Sequence, residues 1–283
     1  MKTQKLLSIF LILLLTPAFS FAHSEPAAAS FQFEDGVPIV NCSFNDSVAK
    51  RACIIDTGSS ESTLPQELSQ AAESFPKGEV SNFLTASGTV EECVALHLNS
   101  LKIDLLALNP MNVNKCSTNP HGVIGIASLI KKHIYFDFKN GFIRDAPETT
   151  ADTKTLRRDA NGYIYIPLQI GENRAFALFD TGVSGGGAVD PKFLKANPGL
   201  FKFAGKITAQ DPSGASASYD TYKATSLNLG NGRILNDVTL IAMDQPAMWK
   251  VFNEAGAQVI IGIDVLKHYA WYLDLENNLF SLD

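Results

Sequence analysis

The sequence predicts an all-β protein built from two pseudo-symmetric lobes with a few short helices. First, the segment IIDTGSS at residues 54–60 has a counterpart, LFDTGVS, at residues 178–184. Second, each is followed by an apolar segment around a glycine, GVIGIASL at 122–129 and VIIGIDVL at 259–266. Third, short runs of β-branched and aromatic residues alternate with turn residues along the chain, and long amphipathic helical patterns are few.

The spacing within the two copies indicates that a whole lobe is duplicated. Asp137 follows Gly125 by twelve residues, and Asp274 follows Gly262 by the same twelve. The two Asp-Thr-Gly triplets lie 124 residues apart and the two glycines 137 apart, so the second copy carries thirteen extra residues, as a loop insertion does. A repeat of this length is a lobe and not a solenoid unit.

The chain resembles the aspartic peptidases in the form that carries both lobes in one polypeptide. The resemblance rests on DTGSS at 56–60, DTG at 180–182 and the apolar glycine motif in each half, and it covers residues from about 31 to the end. The tail at 259–282 is most similar to the retropepsin-like branch. The resemblance implies a bilobal aspartic-protease fold with β-barrel-like lobes and a catalytic pair, Asp56 and Asp180.

The same resemblance implies roles for neighbours of the pair. Thr57 and Thr181 are expected to exchange hydrogen bonds across the pseudo-dyad, and Gly58 and Gly182 to let the backbone turn tightly behind the carboxylates. Ser59 can offer its hydroxyl to Asp56, whereas Val183 cannot do so for Asp180, so Asp180 is expected to be the more readily protonated. The flap that closes over substrate is expected at the glycine-turned hairpin that contains Ala86, Ser87 and Gly88.

Paired carboxylates suit hydrolysis without a covalent intermediate, because one group takes a proton from water while the other protonates the carbonyl oxygen. Two carboxylates about 3 Å apart cannot both ionise, and in aspartic-protease dyads they share one proton. A single buried aspartate of this kind often only caps its own turn. A matched pair favours catalysis, since facing like charges are costly to bury.

The rest of the chain is divided as follows. Residues 1–22 carry two lysines, an apolar run and a small-residue end, which predicts a secretory signal peptide; an uncleaved membrane anchor is the alternative. Residues 23–30 are expected to form a mobile linker, 31–145 the N-terminal lobe, 146–159 the interlobe connection, and 160–283 the C-terminal lobe. Short helices are expected near 65–68 and 191–194, each with proline at an early position.

All four cysteines lie in the first lobe. In an exported chain this number suggests disulfides, and it allows three connectivities. Cys42 and Cys53 fall on the two arms of a predicted hairpin, so we expect Cys42 to pair with Cys53 and Cys93 with Cys116. Buried free thiols are the alternative. The cysteine spacings and the scattered histidines do not match a metal site, and no metal or cofactor is expected.

The net charge of −6 argues against nucleic-acid or anionic-membrane partners, which need a basic face. The sequence therefore predicts a periplasmic or secreted monomeric aspartic endopeptidase that acts on a peptide or protein substrate. The alternative is a non-catalytic periplasmic peptide-binding or adaptor module that retains the fold. A peptidase so narrow that it cleaves a single partner protein is a third hypothesis.

Overall fold

A computed structural model describes residues 27–45, 50–68, 71–84, 90–108, 112–116, 121–146, 152–210 and 216–283. The predicted signal peptide and the flap residues Ala86, Ser87 and Gly88 lie outside these ranges. The described part of the chain contains twenty-three strands and three short α-helices, which confirms the all-β prediction. None of its helices has the length and apolar character needed to cross a membrane.

The first half of the chain supplies twelve strands and three 3-10 helices. The strands are β1 (Ala28–Glu34), β2 (Val37–Phe44), β3 (Arg51–Asp56), β4 (Ser62–Thr63), β5 (Lys77–Leu84), β6 (Val90–His97), β7 (Leu101–Ile103), β8 (Leu106–Ala107), β9 (Asn112–Lys115), β10 (Gly122–Gly125), β11 (His133–Asp137) and β12 (Phe142–Asp145). The 3-10 helices span Gln66–Leu68, Ala71–Ser74 and Ile126–Ser128.

The second half supplies eleven strands, the three α-helices and one 3-10 helix. The strands are β13 (Lys154–Thr155), β14 (Arg157–Arg158), β15 (Ile164–Ile170), β16 (Asn173–Phe179), β17 (Gly187–Val189), β18 (Phe201–Gln210), β19 (Ser216–Asn228), β20 (Ile234–Ala242), β21 (Ala257–Ile261), β22 (Ala270–Asp274) and β23 (Leu279–Leu282). The helices are α1 (Pro191–Ala196), α2 (Pro246–Glu254), α3 (Ile263–Leu266) and the 3-10 turn Pro198–Leu200.

The two halves repeat one strand order. In the first half it is β2-β3-β10-β4-β9-β6-β5, and in the second it is β15-β16-β21-β17-β20-β19-β18. The pairings also agree in direction, since β3 is parallel to β10 as β16 is to β21, and β4 is parallel to β9 as β17 is to β20. The repeat seen in the sequence motifs therefore extends through seven strands of each half.

A six-stranded antiparallel sheet joins the halves, in the order β13-β23-β22-β11-β12-β1. Its central pair is β11 with β22, one strand from each half, in a register that sets His133 opposite Asp274. Above this sheet the rings of Phe179 and Trp271 meet edge to face, with centroids 4.9 Å apart, and both residues are fully buried. Each ring buries a large apolar surface, so this contact ties the end of β16 to the joining sheet.

The predicted short helices are present in both halves. The first is the 3-10 turn Gln66–Leu68 and the second is α1, which begins at Pro191. The Asp190 carboxylate caps α1 by accepting a hydrogen bond from the Lys192 backbone N–H at 2.9 Å.

Two predicted boundaries differ from the structure. Strand β1 begins at Ala28, inside the segment 23–30 that we expected to be a linker, because its backbone pairs with β12 of the joining sheet. In the predicted connection, 146–159, the second part forms β13 and β14, which pair with β23 and β15. Both segments look like linkers in composition, and in each a strand partner distant in sequence, β12 for β1 and β23 for β13, contributes to the order.

The four cysteines lie in two pairs at disulfide distance, in the expected combination. The Cα atoms are 6.2 Å apart for Cys42 and Cys53, and 4.5 Å apart for Cys93 and Cys116. Both separations fall within the range that a disulfide spans.

Candidate active site

Asp56 and Asp180 lie at corresponding ends of β3 and β16. Each strand runs parallel to the strand of the downstream glycine motif, which places Asp56 opposite Gly125 and Phe179 opposite Ile261. The backbone N–H of Asp180 also donates to the Ile261 carbonyl at 3.1 Å. The residues just before each aspartate are apolar and largely buried, and each chain turns away from its sheet directly after the aspartate.

Four hydrogen bonds between Thr57 and Thr181 and the opposite strands connect the two turns. The Thr57 backbone N–H donates to Oγ1 of Thr181 at 3.0 Å, and the Thr181 N–H donates to Oγ1 of Thr57 at 3.1 Å. The Thr57 hydroxyl in turn donates to the Phe179 carbonyl at 2.6 Å, and the Thr181 hydroxyl to the Ile55 carbonyl at 2.7 Å. Both threonines are fully buried, so each hydroxyl satisfies backbone groups of the other half that would otherwise be unpaired.

Gly58 and Gly182 bring the two carboxylates together. Each glycine N–H donates to the aspartate two residues before it, Gly58 to Asp56 and Gly182 to Asp180, both at 2.9 Å. A Cβ atom at Gly58 would overlap the Asp180 carboxylate, and one at Gly182 would overlap that of Asp56. Each carboxylate therefore lies directly over the glycine of the other half.

The environment raises the pKa of both carboxyl groups. Burial raises the pKa of Asp56, while backbone N–H donors and the Asp180 side chain partly oppose this. The pKa of Asp180 lies well above its ordinary value, first because of burial and then because of the negative charge of Asp56. Asp180 is buried and Asp56 is partly exposed. A pair of carboxyl groups that shares one proton accounts for the increase in both pKa values.

The Ser59 hydroxyl does not donate a hydrogen bond to Asp56, as we had expected it to. It donates to the Glu61 carbonyl at 2.8 Å, and a hydroxyl has one proton to give. Asp56 and Asp180 instead receive matching backbone N–H groups, from Gly58 and Ser59 in one turn and from Gly182 and Val183 in the other. The asymmetry of the pair therefore comes from burial and from the neighbouring charge.

The downstream glycine motifs hold the loops that follow the two aspartates. The Ile126 N–H donates to the Ser59 carbonyl, and the Ile263 N–H to the Val183 carbonyl, both at 2.9 Å. A Cβ at Gly125 would overlap the backbone of Glu61, so this position requires the absence of a side chain.

A second repeated pair of aspartates is structural. The carboxylate of Asp137 accepts hydrogen bonds from the backbone and side-chain N–H groups of Asn140 at 2.9 and 2.8 Å. Asp274 and Asn277 repeat this arrangement, with both distances 2.9 Å. These carboxylates stabilise the turns that end β11 and β22.

Tyr163 is the residue near the pair that sequence reasoning missed. Burial raises the pKa of its phenol, and the charges of Asp56 and Asp180 contribute to this increase. The signal was present, because the aligned starts of the two lobes read Gly36-Val37 in one half and Gly162-Tyr163 in the other.

Two other clusters of polar residues do not form part of this site. A cavity of about 400 Å³ lies between α1 and α2, and its lining residues include Asp190, Trp249 and Lys250 but neither member of the pair. Glu91, Cys93 and Cys116 lie close enough together to bind a metal. Because these two cysteines are at disulfide distance from each other, they are better described as a cystine than as two thiolate ligands.

No known protein-family model matches the chain, and no curated protein sequence matches it significantly.

Proposed function

We propose that this protein is an exported aspartic endopeptidase, with the bilobal fold of the retropepsin-like branch, that hydrolyses peptide bonds by means of Asp56 and Asp180. The observation that carries the proposal is the pair of carboxylates set over each other's glycines at the junction of two duplicated halves. Facing like charges are costly to bury, and the threonine hydrogen bonds hold them there. A module that only bound peptides would have no need of both carboxylates.

The shared proton defines the chemistry. The ionised member of the pair removes a proton from a water molecule held between the carboxylates, while the protonated member donates its proton to the peptide carbonyl oxygen. The water oxygen bonds to the carbonyl carbon and forms a tetrahedral diol. Its collapse breaks the C–N bond, with a proton passing to the leaving nitrogen and another returning to the carboxylate pair. Neither a covalent intermediate nor a cofactor is required.

The substrate in this proposal is a peptide segment bound in extended form across the junction of the halves. Extended peptides are bound through main-chain hydrogen bonds and pockets for alternate side chains. One chain supplies both aspartates, so catalysis needs no second copy, and we propose a monomer. The β5–β6 hairpin, which leads into the predicted flap, would cover the bound peptide.

We place the protein in the periplasm or outside the cell. The predicted signal peptide motivates this, and cysteines at disulfide distance are compatible with an oxidising compartment. After signal cleavage no membrane association is proposed.

The test is to express residues 23–283 and incubate them with a denatured protein mixture across about pH 3 to 8. Wild type is compared with Asp56→Asn and Asp180→Asn, which keep the side-chain shape but remove the acid–base function. We expect both variants to lose activity by at least about 10³-fold, near the upper part of the range for general acid–base groups. A statine-type inhibitor should block the wild type.

Asp264→Asn is the matched control, because its exposed carboxylate pairs with Lys267 at 2.5 Å and has no counterpart in the first half. This variant should retain wild-type activity. Cleavage that survives Asp56→Asn would contradict the proposal. No cleavage by wild type, with the inhibitor still bound, would point to a peptidase for one partner protein; no cleavage and no binding would favour the adaptor module.

A further inference from the structure

The backbone of Tyr163 is held rigidly at the start of β15. One oxygen of the Asp159 carboxylate accepts hydrogen bonds from the N–H groups of Asn161 and Tyr163, at 2.9 and 3.1 Å. The other accepts the hydroxyl proton of the fully buried Tyr165 at 2.8 Å. Since three groups bind one carboxylate, the turn before β15 has little freedom to move.

The side chain of Tyr163 reaches from the second half to the first. Its ring meets that of Phe252 in α2 edge to face, with centroids 5.6 Å apart. Its phenol lies within hydrogen-bonding reach of the Ser60 side chain, which follows the catalytic turn of the first half. The phenol is also close enough to Asp56 and Asp180 for the negative charge of the carboxylate pair to act on it. The side chain is half-buried, so part of it is exposed to solvent.

The duplicated fold identifies the counterpart of Tyr163. Ile39 is paired with Ile54, two residues before Asp56, and Tyr165 is paired with Leu178, two residues before Asp180. Ile39 and Tyr165 are therefore equivalent positions. Two residues before them in the chain, Val37 is the counterpart of Tyr163. The glycines just before these residues also agree, since Gly36 and Gly162 have φ of +81° and +87°.

The contacts at this counterpart are different. A Cβ at Gly36 would lie 2.8 Å from the Cβ of Ser184, so the backbone of the first half itself packs against the loop after Asp180. In the second half the equivalent loop is met by a side chain, the Tyr163 phenol, beside Ser60. The surroundings of the carboxylate pair are therefore unequal on its two sides.

We propose that Tyr163 is a specificity-determining residue, which narrows the substrate-binding cleft on the side of Ser60 and so limits the size of the substrate side chain accepted on one side of the scissile bond. This inference rests on the proposed peptidase function. The catalytic pair is nearly symmetric, whereas a peptide has a direction, so the direction of binding must be selected by residues that differ between the halves. Tyr163 against Val37 is such a difference; Asp159 holds the Tyr163 backbone and Phe252 packs against its ring.

The experiment compares wild type with Tyr163→Val, which installs the residue of the other half, and with Tyr163→Phe, which keeps the ring. Cleavage sites in a denatured protein mixture are mapped by mass spectrometry. Values of kcat and KM are then measured on peptide pairs with alanine or a large aromatic residue at each position beside the scissile bond. For Tyr163→Val we expect kcat/KM to shift about tenfold or more towards the larger residue at one position, and to stay unchanged across the bond. Tyr163→Phe should keep the wild-type size preference.

Tyr135→Val is the control for loss of a half-buried tyrosine ring, because Tyr135 lies in the joining sheet and contacts Arg144. It should leave the cleavage profile unchanged. If thermal unfolding shows that Tyr163→Val is not folded, Tyr163→Leu replaces it with the same expected shift. If Tyr163→Val has an unchanged cleavage profile, or loses kcat equally on all peptides, this inference is wrong while the proposed function stands. Absence of both cleavage and inhibitor binding by the wild type would overturn the proposed function and this inference with it.

Discussion

The two turns that carry Asp56 and Asp180 share their backbone hydrogen bonds and differ in the side chains that follow the glycines. The hydrogen bonds from Gly58 and Gly182 to their aspartates are equal in length, as are those that hold the Ser59 and Val183 carbonyls. Beyond the glycines, however, one turn continues with Ser59, Ser60 and Glu61 and the other with Val183, Ser184 and Gly185.

This comparison separates two kinds of constraint. Every atom that orients a carboxylate belongs to the backbone or to the repeated Asp-Thr-Gly, so the duplication preserved it. The two sides differ in what the loops after the aspartates meet, since Ser60 lies beside the Tyr163 phenol and Ser184 packs against Gly36. The halves are thus equivalent for the proposed chemistry and unequal for the proposed recognition of substrate.

The largest expected effect comes from adding a methyl group at the glycines. In Gly58→Ala or Gly182→Ala the new Cβ overlaps the carboxylate of the opposite half, so the pair must separate. We expect activity to fall by at least about 10²-fold and the free energy of unfolding by about 1–3 kcal/mol. Urea denaturation and peptide cleavage assays measure these effects.

Gly199→Ala is the matched control for this substitution, because a Cβ there has no neighbour within 4 Å. It should change neither the activity nor the free energy of unfolding noticeably. If Gly58→Ala and Gly182→Ala differ widely in activity, the two turns are not equivalent in the way that their hydrogen bonds indicate.

The threonine bonds provide the next test of equivalence. Thr57→Val and Thr181→Val each remove one buried donor and leave a backbone N–H and a carbonyl of the other half unpaired. Each should lower the free energy of unfolding by about 2–4 kcal/mol, since two hydrogen bonds are lost and the groups left behind are buried. In urea denaturation the decreases in the free energy of unfolding of the two variants should agree within about 0.5 kcal/mol. A larger difference would show that the two threonines are not equivalent.

The last test concerns a change of stability with pH. The pKa of Asp180 is raised in the folded protein, so its contribution to stability is present below its ordinary pKa near 3.8 and is lost as pH rises through the folded value. Relative to Asp180→Asn, wild type should therefore become less stable as pH rises above about 4, by ~1.4 kcal/mol for each unit of pKa increase. Urea denaturation of both proteins across this range measures the difference. A difference that stays constant would show that burial and the Asp56 charge do not act on Asp180 as inferred.

Much of the fold followed from sequence patterns that depend on local structure. Apolar strands before Asp-Thr-Gly predicted β3 and β16, and proline at an early helical position predicted the turn at Gln66 and helix α1 at Pro191. The alternation of strands and turns predicted an all-β chain. These features succeed because a strand or a helix start depends mainly on residues within a few positions of it.

One error occurred where a distant partner decided the outcome, and another where two nearby acceptors competed for one hydroxyl. Ala28 joins β1 because β12 offers a free edge, and nothing in the composition around Ala28 indicates this. The Ser59 hydroxyl had two nearby acceptors, Asp56 and the Glu61 carbonyl, and the geometry of the loop selected the second. The predicted flap at Ala86, Ser87 and Gly88 lies outside the described residues and stays a prediction.

The repeat, the all-β class and the pairing of Asp56 with Asp180 could be predicted from the sequence, which also favoured the observed combination of the cysteines, because each was marked by a motif or a spacing present in the chain. Only the tertiary structure decided how the halves meet: the threonine bonds across the junction, the carboxylates over opposite glycines, and the placement of Tyr163 beside Ser60. The physical reason is that these contacts join residues more than a hundred positions apart. Their geometry depends on how two packed sheets come together, which local residue patterns do not encode.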